Sequence, residues 1–130
     1  MADSTDAPPK VAPKITARPK VRQLYWCRFP SDAELPEFWK TRPVVVISHN
    51  NTLHGAVTVV ACSTQSQPSN KWAFQVENSI DGEKAWAICD KPTTVAVSRL
   101  TPDKEGIKRI SDEEFNGILT LMLKWIPSPR

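Results

Sequence analysis

The chain has 130 residues, the size of one ordinary domain, and its formal net charge of +3 is too small to prove a polyanionic partner. It has no apolar run long enough to cross a membrane and no apolar stretch typical of a secretory signal, so we expect a cytoplasmic protein. The three cysteines form no CxxC pair and only two histidines are present, which argues against a zinc site and predicts buried, reduced thiols. We therefore expect no metal and no cofactor.

Residues 1–22 are rich in Pro, Ala, Lys and Thr, and few of them suit a hydrophobic core. This composition predicts a disordered basic tail, followed by one folded domain over residues 23–130. The cations of the tail would attract polyanions, yet we favour a solvated leader over a dedicated binding arm. These cations are Lys10, Lys14, Arg18, Lys20 and Arg22.

Short segments with strand patterns follow the tail. The run from Val44 to Ile47 has four β-branched residues in succession, which disfavours a helix and predicts a strand buried on both faces. Residues 72–76 alternate between large apolar and smaller side chains, as a half-exposed strand does. Turn signals such as Asp81-Gly82 separate the segments. The predicted strands are residues 24–29, 43–48, 56–62, 72–76, 85–89 and 94–97.

One long helix is predicted, at the C-terminal end of the chain. Ser111 and Glu114 have the spacing of a capping box, in which each side chain bonds the other residue's backbone amide. Apolar residues follow at helical spacing until Pro127 ends the pattern. The sequence therefore predicts a mainly β fold, a small bent sheet or barrel with one C-terminal helix packed against it.

Three strings in this order carry a sharper signal than periodicity does. They are residues 41–48 (TRPVVVIS), 57–65 (VTVVACSTQ) and 87–100 (AICDKPTTVAVSRL). Together they resemble the MazF/PemK family of toxins from toxin–antitoxin systems, over roughly residues 24–126. The chain departs from the family pattern at Arg22-Gln23, where Gly-Asp is usual, at Arg28, where Asp is frequent, and at Ser63, where threonine is usual.

The resemblance implies an SH3-like β-barrel of the CcdB/MazF type that forms a homodimer. It also implies sequence-specific, metal-independent cleavage of single-stranded RNA. The catalytic residues of the family fall on Arg42, on Ser63 and, in a loop five positions before the arginine, on Glu37. We further predict RNA contacts at Thr64, Gln65, Trp39, Lys40 and His49.

These residue types suit the chemistry, because RNA carries its own nucleophile, the 2′-OH. The enzyme has to align that oxygen with the phosphate and stabilise the extra negative charge. Arg42 can bind two phosphate oxygens through its planar fork, and the Ser63 hydroxyl can bond the same phosphate. The alternatives are a strand-capping cation at Arg42, a turn hydroxyl at Ser63, a solvated carboxylate at Glu37 and a plain loop residue at His49. We favour the structural interpretation for Glu37 and His49 and the functional one for Arg42.

Two classes of function remain open at this stage. The leading hypothesis is a type II toxin that cleaves mRNA, is neutralised by a cognate antitoxin, and binds operator DNA through the toxin–antitoxin complex. The alternative is a non-catalytic relative with the same barrel, either a gyrase inhibitor like CcdB or a binding adaptor, which would need no Arg–hydroxyl pair.

Overall fold

The computed structural model describes residues 7–50 and 52–129. The part of the predicted tail that falls on residues 1–6 therefore lies outside the described residues. No helix in the described ranges is long and apolar enough to span a membrane.

Strands dominate the structure, and a single long helix follows them. A short 3₁₀ turn, Val97–Arg99, joins the sixth strand to the seventh. The strands are β1 (Gln23–Arg28), β2 (Thr41–Val46), β3 (Ala56–Ser63), β4 (Ala73–Val76), β5 (Ala85–Ile88), β6 (Thr93–Ala96), β7 (Leu100–Thr101) and β8 (Lys108–Arg109), and the helix is α1 (Asp112–Trp125). This arrangement confirms the prediction of a mainly β fold with a C-terminal helix.

The strands form one curled antiparallel sheet in the order β4-β5-β3-β2-β1-β7, with β6 also paired to β3 and β8 to β1. β2 lies in the middle of the sheet between β1 and β3. Its buried side chains alternate between two hydrophobic clusters, because successive side chains of a strand point to opposite faces. Val44 and Val46 belong to the cluster inside the curl, which we call the barrel cluster, and Val45 belongs to the helix-side cluster. The prediction of a strand buried on both faces is confirmed.

β5 and β6 follow the same edge of β3 one after the other. Cys62 pairs with Ala87, and Val59 pairs with Thr93, so both strands run antiparallel to β3. The chain between Ala87 and Thr93 is longer than the stretch of β3 between their partners, Cys62 and Val59. It therefore bulges outward at residues 90–92. The bulge directs Lys91 away from the ladder and toward the loop before β2.

α1 closes the helix-side cluster and starts as predicted. The Ser111 hydroxyl accepts a hydrogen bond from the Glu114 amide (3.1 Å), and a Glu114 carboxylate oxygen accepts one from the Ser111 amide (3.3 Å). Ile118 is fully buried, and Phe115 and Met122 pack partly against the same cluster. The predicted apolar face is thus the face that packs, which is where most helix stability originates.

Part of the predicted tail packs on the sheet. Ile15 is buried in the barrel cluster, with 6% of its surface exposed, and the Lys14 ammonium donates to the Ser98 carbonyl (3.0 Å). The Arg22 guanidinium donates to the Ile110 carbonyl (3.0 Å) and pairs with Asp112 (3.1 Å). The disorder of the tail as a whole and its boundary at residue 22 stay predictions, but residues near Ile15 are held by contacts that their composition did not indicate.

Candidate active site

Arg42 and Ser63 lie at the same end of neighbouring strands. β2 and β3 pair antiparallel, with Val44 opposite Ala61, and extending this register by two residues puts Arg42 opposite Ser63. Directly opposed residues of an antiparallel pair point to the same face. The Arg42 side chain therefore lies on the same face of the sheet as Val44, and the Ser63 side chain on the same face as Ala61. Val44 and Ala61 both belong to the barrel cluster, so this face is the inside of the curl. We call this end of the sheet the site end.

The Arg42 side chain is held by the loop that precedes β2. Its Nε donates to the Trp39 carbonyl (3.1 Å), and its guanidinium carbon lies 5.4 Å from the centre of the Phe38 ring. Phe38 in turn packs against Phe29 (5.6 Å between ring centres) and against the barrel cluster. A cation over an aromatic ring is attracted by the ring's negative face. The loop therefore orients the guanidinium and leaves its Nη donors to bind a ligand.

Ser63 has a local partner as well. Its hydroxyl oxygen accepts a hydrogen bond from the Gln65 amide (3.2 Å), which is the turn-hydroxyl arrangement considered from the sequence. A hydroxyl has one donor and two acceptor positions. The turn uses one acceptor position, so the hydroxyl proton stays free to bond a phosphate oxygen.

Glu37 lies in the loop between β1 and β2 and is exposed. One of its carboxylate oxygens accepts from the Glu34 amide (2.8 Å), and its own amide donates to the Glu34 carbonyl (2.7 Å). The carboxylate thus stabilises a turn in this structure, which agrees with the structural interpretation. Glu37 also lines a cavity of about 580 Å³, together with Phe38 and Lys91.

Lys91 is a cation of the site that the sequence reasoning missed. Its ammonium donates to the Pro36 carbonyl (3.4 Å) and lies 5.5 Å from the Phe38 ring centre. Arg42, from β2, and Lys91, from the bulge between β5 and β6, therefore approach the same ring. The signal in the sequence was the Asp90-Lys91-Pro92 interruption between two strand patterns, which a reader could have taken as a bulge.

The predicted RNA-binding residues divide between the two ends of β2. Trp39 is half exposed, with the Lys40 ammonium 5.1 Å from its ring centre, and Thr64 and Gln65 are exposed in the turn after Ser63. These four lie at the site end. His49 follows the other end of β2, seven residues beyond Arg42, a span of about 23 Å for extended chain. The structure does not bring His49 to the other four.

Comparison with known proteins places this geometry in a family. The family described as PemK-like, MazF-like toxin of type II toxin-antitoxin system matches residues 20–125. No curated protein sequence matches the chain. Among solved structures, an endoribonuclease in complex with its cognate antitoxin from Mycobacterial species matches with a TM-score of 0.59 at 19% identity, covering 86% of this chain and 100% of that chain. At that identity the match shows the fold, whereas the family match spans most of the sequence. The chain belongs to the PemK-like, MazF-like toxins of type II toxin–antitoxin systems.

Proposed function

We propose that this toxin is an endoribonuclease that cleaves single-stranded RNA, above all mRNA, at specific sequences and without a metal. The observation that carries the proposal is the register of β2 and β3, in which Arg42 and Ser63 oppose each other on one face at the site end. Lys91 adds a second positive charge beside the loop between β1 and β2, which holds Arg42. The solved endoribonuclease of the same fold supports the assignment.

The reaction uses the substrate's own nucleophile. The ribose 2′-oxygen attacks the adjacent phosphorus, the bond from phosphorus to the 5′-oxygen breaks, and the products carry a 2′,3′-cyclic phosphate and a 5′-OH. A base takes the 2′-OH proton, and the leaving 5′-oxygen gains a proton. Charge on the phosphoryl oxygens increases on the way to the transition state, so fixed cations accelerate the reaction.

Arg42 binds and stabilises the phosphoryl oxygens, since its planar fork is oriented by the Trp39 carbonyl. The Ser63 hydroxyl donates a hydrogen bond to the same phosphate. Glu37 accepts the 2′-OH proton on the carboxylate oxygen that does not bond the Glu34 amide.

The bases on either side of the cut are bound by exposed residues around the loop. Trp39 offers a flat ring on which an unpaired base can stack, and Lys40, Thr64 and Gln65 offer donors for phosphates or base edges. His49 would contact the same RNA molecule only if the RNA extended to the far end of β2.

We further propose a cognate antitoxin, a homodimeric barrel, binding of operator DNA and a cytoplasmic location. The toxin is neutralised by a cognate antitoxin, and the solved relative in complex with its antitoxin supports this. It acts as a homodimer with an SH3-like barrel, and the toxin–antitoxin complex binds operator DNA. It acts in the cytoplasm, where its mRNA substrate is found.

The test is incubation of the purified protein with single-stranded RNA in EDTA. We expect cleavage into downstream fragments whose 5′-OH ends are labelled directly by polynucleotide kinase, and upstream fragments whose cyclic phosphate blocks ligation at the 3′ end until it is opened and removed. Arg42→Ala should abolish the cleavage, and His54→Ala, a change of an exposed residue beyond the far end of β2, should leave it intact. RNA that stays whole, or cleavage that depends on Mg²⁺, would refute the proposal in favour of a non-catalytic relative or a different mechanism.

A further inference from the structure

A second groove lies beside the site on the other side of the loop between β1 and β2. It encloses about 730 Å³ and is lined by residues 28–32, by Trp39 and Lys40, and by Arg99. Three of these side chains are cations, and Asp32 is the only acid among the described residues that line the groove. None of the sequence motifs assigned a role to Arg28 or Arg99.

The sheet register brings the three cations together. β1 pairs with β7 so that Cys27 faces Leu100, and one further step along this register puts Arg28 beside Arg99. The Arg99 guanidinium donates to the Arg28 carbonyl (3.0 Å), which holds it at that position. On the other side of β1, Arg28 pairs with Thr41, the residue that follows Lys40.

The backbone fixes Lys40 as firmly as it fixes the two arginines. Lys40 has a positive φ of 59°, which is uncommon for a residue with a side chain. Its carbonyl accepts the Phe29 amide (3.1 Å), so the loop is tied to the end of β1 at this residue. The ammonium consequently faces the groove side of the loop, where it lies over the Trp39 ring.

The positive charge of the groove is not neutralised within the described part of the chain. No ion pair of residues 7–50 and 52–129 involves Arg28, Lys40 or Arg99. These charges also act on the buried Cys27 thiol. Burial raises the pKa of Cys27 to about 12, and the positive charges of Arg99 and Arg28 oppose that rise. Clustered like charges repel one another and so destabilise the fold unless an anion binds between them.

We propose that this groove binds a backbone phosphate of the RNA that flanks the scissile phosphate. The subsite rests on the proposed function, because it extends the path of the same substrate. Arg28 and Arg42 are neighbours on paired strands but leave the sheet on opposite faces, since Arg28 alternates with the inward-facing Cys27. An RNA strand engaged at Arg42 therefore crosses the site end of the sheet, passes Trp39 and reaches the groove.

A phosphodiester fits the groove better than the carboxylates of an acidic peptide do. Guanidinium groups bind the two free oxygens of a phosphate through parallel hydrogen bonds, and Arg28 and Arg99 supply two such groups. Trp39, half exposed between the groove and Arg42, provides a ring for the base attached to that phosphate. A peptide would use the charges but leave the stacking surface unfilled.

The experiment measures binding separately from cleavage. Fluorescein-labelled single-stranded oligodeoxythymidylate serves as the probe, because it has the phosphates but lacks the 2′-OH and so cannot be cut. Anisotropy titrations across a series of KCl concentrations compare the wild type with Arg28→Ala and Arg28→Lys. Lys124→Ala, which removes an equal charge from the exposed end of α1, is the matched control.

We expect Arg28→Ala to weaken binding about fivefold at low salt and to reduce the slope of log K against log[KCl] by about 0.7, the value for one contact with a single strand. Arg28→Lys should restore most of the affinity, and Lys124→Ala should bind as the wild type does. In RNA cleavage, Arg28→Ala should raise KM and leave kcat unchanged. Wild-type binding by Arg28→Ala, or an equal loss in Lys124→Ala, overturns the proposal.

Polyglutamate of matched length tests the competing partner. If Arg28→Ala weakens polyglutamate binding and leaves the oligodeoxythymidylate unaffected, the groove is a peptide site and the phosphate subsite is refuted. If the proposed nuclease activity is wrong, the cleavage assay shows it, because the wild type leaves the RNA whole. If the phosphate subsite is wrong, the binding titrations show it. The two outcomes are therefore distinguishable.

Discussion

The two ends of the sheet differ in what covers the ends of their strands. At the site end β1 ends at Arg28, β2 begins at Thr41 and β3 ends at Ser63. The loops beyond them form two cavities, one lined by Lys91 and several carboxylates and the other, the groove, whose charged residues are mainly cations. At the other end, which we call the tail end, the chain's own N-terminal segment covers the fold. Residues 9–11 line a cavity of about 470 Å³ against the loop between β2 and β3, and Ile15 enters the barrel cluster.

This difference separates stability from binding within one small domain. The tail end buries apolar surface and satisfies backbone groups, as where the Arg22 amide donates to the Val46 carbonyl (2.9 Å). Within residues 7–50 and 52–129, the cations Arg28, Lys40 and Arg99 at the site end form no ion pair, an arrangement that costs stability and favours an anionic ligand. Substitutions at the two ends should therefore affect different measurements.

The largest expected effect is on catalysis, from Arg42→Ala. Loss of the guanidinium should lower kcat/KM about 10³-fold, or about 4 kcal/mol of transition-state stabilisation, and Arg42→Lys should recover only part of it. Chemical denaturation should find the free energy of unfolding nearly unchanged, because Arg42 makes one exposed hydrogen bond. Should the Arg42→Ala protein instead unfold more readily while retaining its activity, Arg42 is a strand-capping residue.

The next largest effect is on stability, from Ile15→Ala at the tail end. Removing a buried isoleucine side chain should lower the free energy of unfolding by about 3 kcal/mol. Thermal or urea denaturation measures this change, and kcat at a temperature where the protein stays folded should match the wild type. Val11→Ala is the matched control, since Val11 belongs to the same segment but is exposed. Equal stability of the two variants would mean that the tail is not docked in solution.

A smaller effect on catalysis is expected from Ser63. Ser63→Ala should lower kcat about 10- to 100-fold, because one neutral donor to the phosphate is lost. Ser63→Thr keeps the oxygen and adds a methyl that restricts the rotamer, so it should match or exceed the wild type. If Ser63→Ala cleaves RNA at the wild-type rate, the hydroxyl serves only the turn with Gln65.

Local sequence patterns predicted most of the elements in this fold. The β-branched run of β2 and the capping box of α1 are short-range signals, and both are present in the structure. The strands β7 and β8 were missed because two residues are too few to show alternation. Ile15 was missed because a lone apolar residue in a Pro/Lys-rich segment has no periodicity, and its burial depends on strands far along the chain.

The site was predictable to the extent that its residues belong to contiguous motifs. Arg42 and Ser63 each lie in such a motif, and the β2–β3 register agrees with their pairing, although their catalytic roles stay predictions. Lys91 and the cationic groove beside Arg28 depend on contacts between distant segments, such as the hydrogen bond from Arg99 to the Arg28 carbonyl. The sequence shows the interruption at Asp90-Lys91-Pro92 but not the contact of Lys91 with the loop before β2, and it does not show the groove, because both depend on how distant segments pack.

The smallest expected effect concerns the three cysteines, which report on the two hydrophobic clusters. Burial raises the pKa of Cys27, Cys62 and Cys89 to about 12, above the ordinary value of 9.0. The folded state thus disfavours thiolates, so stability is unaffected below about pH 9 and falls as the pH rises from there toward 12. Near neutral pH the native thiols should be alkylated far more slowly than the same thiols in denaturant.

Alkylation can therefore show which of the two clusters opens. Cys27 belongs to the barrel cluster with Ile15, whereas Cys62 and Cys89 belong to the helix-side cluster. In Ile15→Ala, local opening of the barrel cluster should let iodoacetamide reach Cys27 first, while Cys62 and Cys89 keep their wild-type rates. Mass spectrometry of digested protein measures each site. If all three cysteines gain reactivity together, the two clusters open as one cooperative unit, and the docking of the tail stabilises the whole sheet and not the barrel cluster alone.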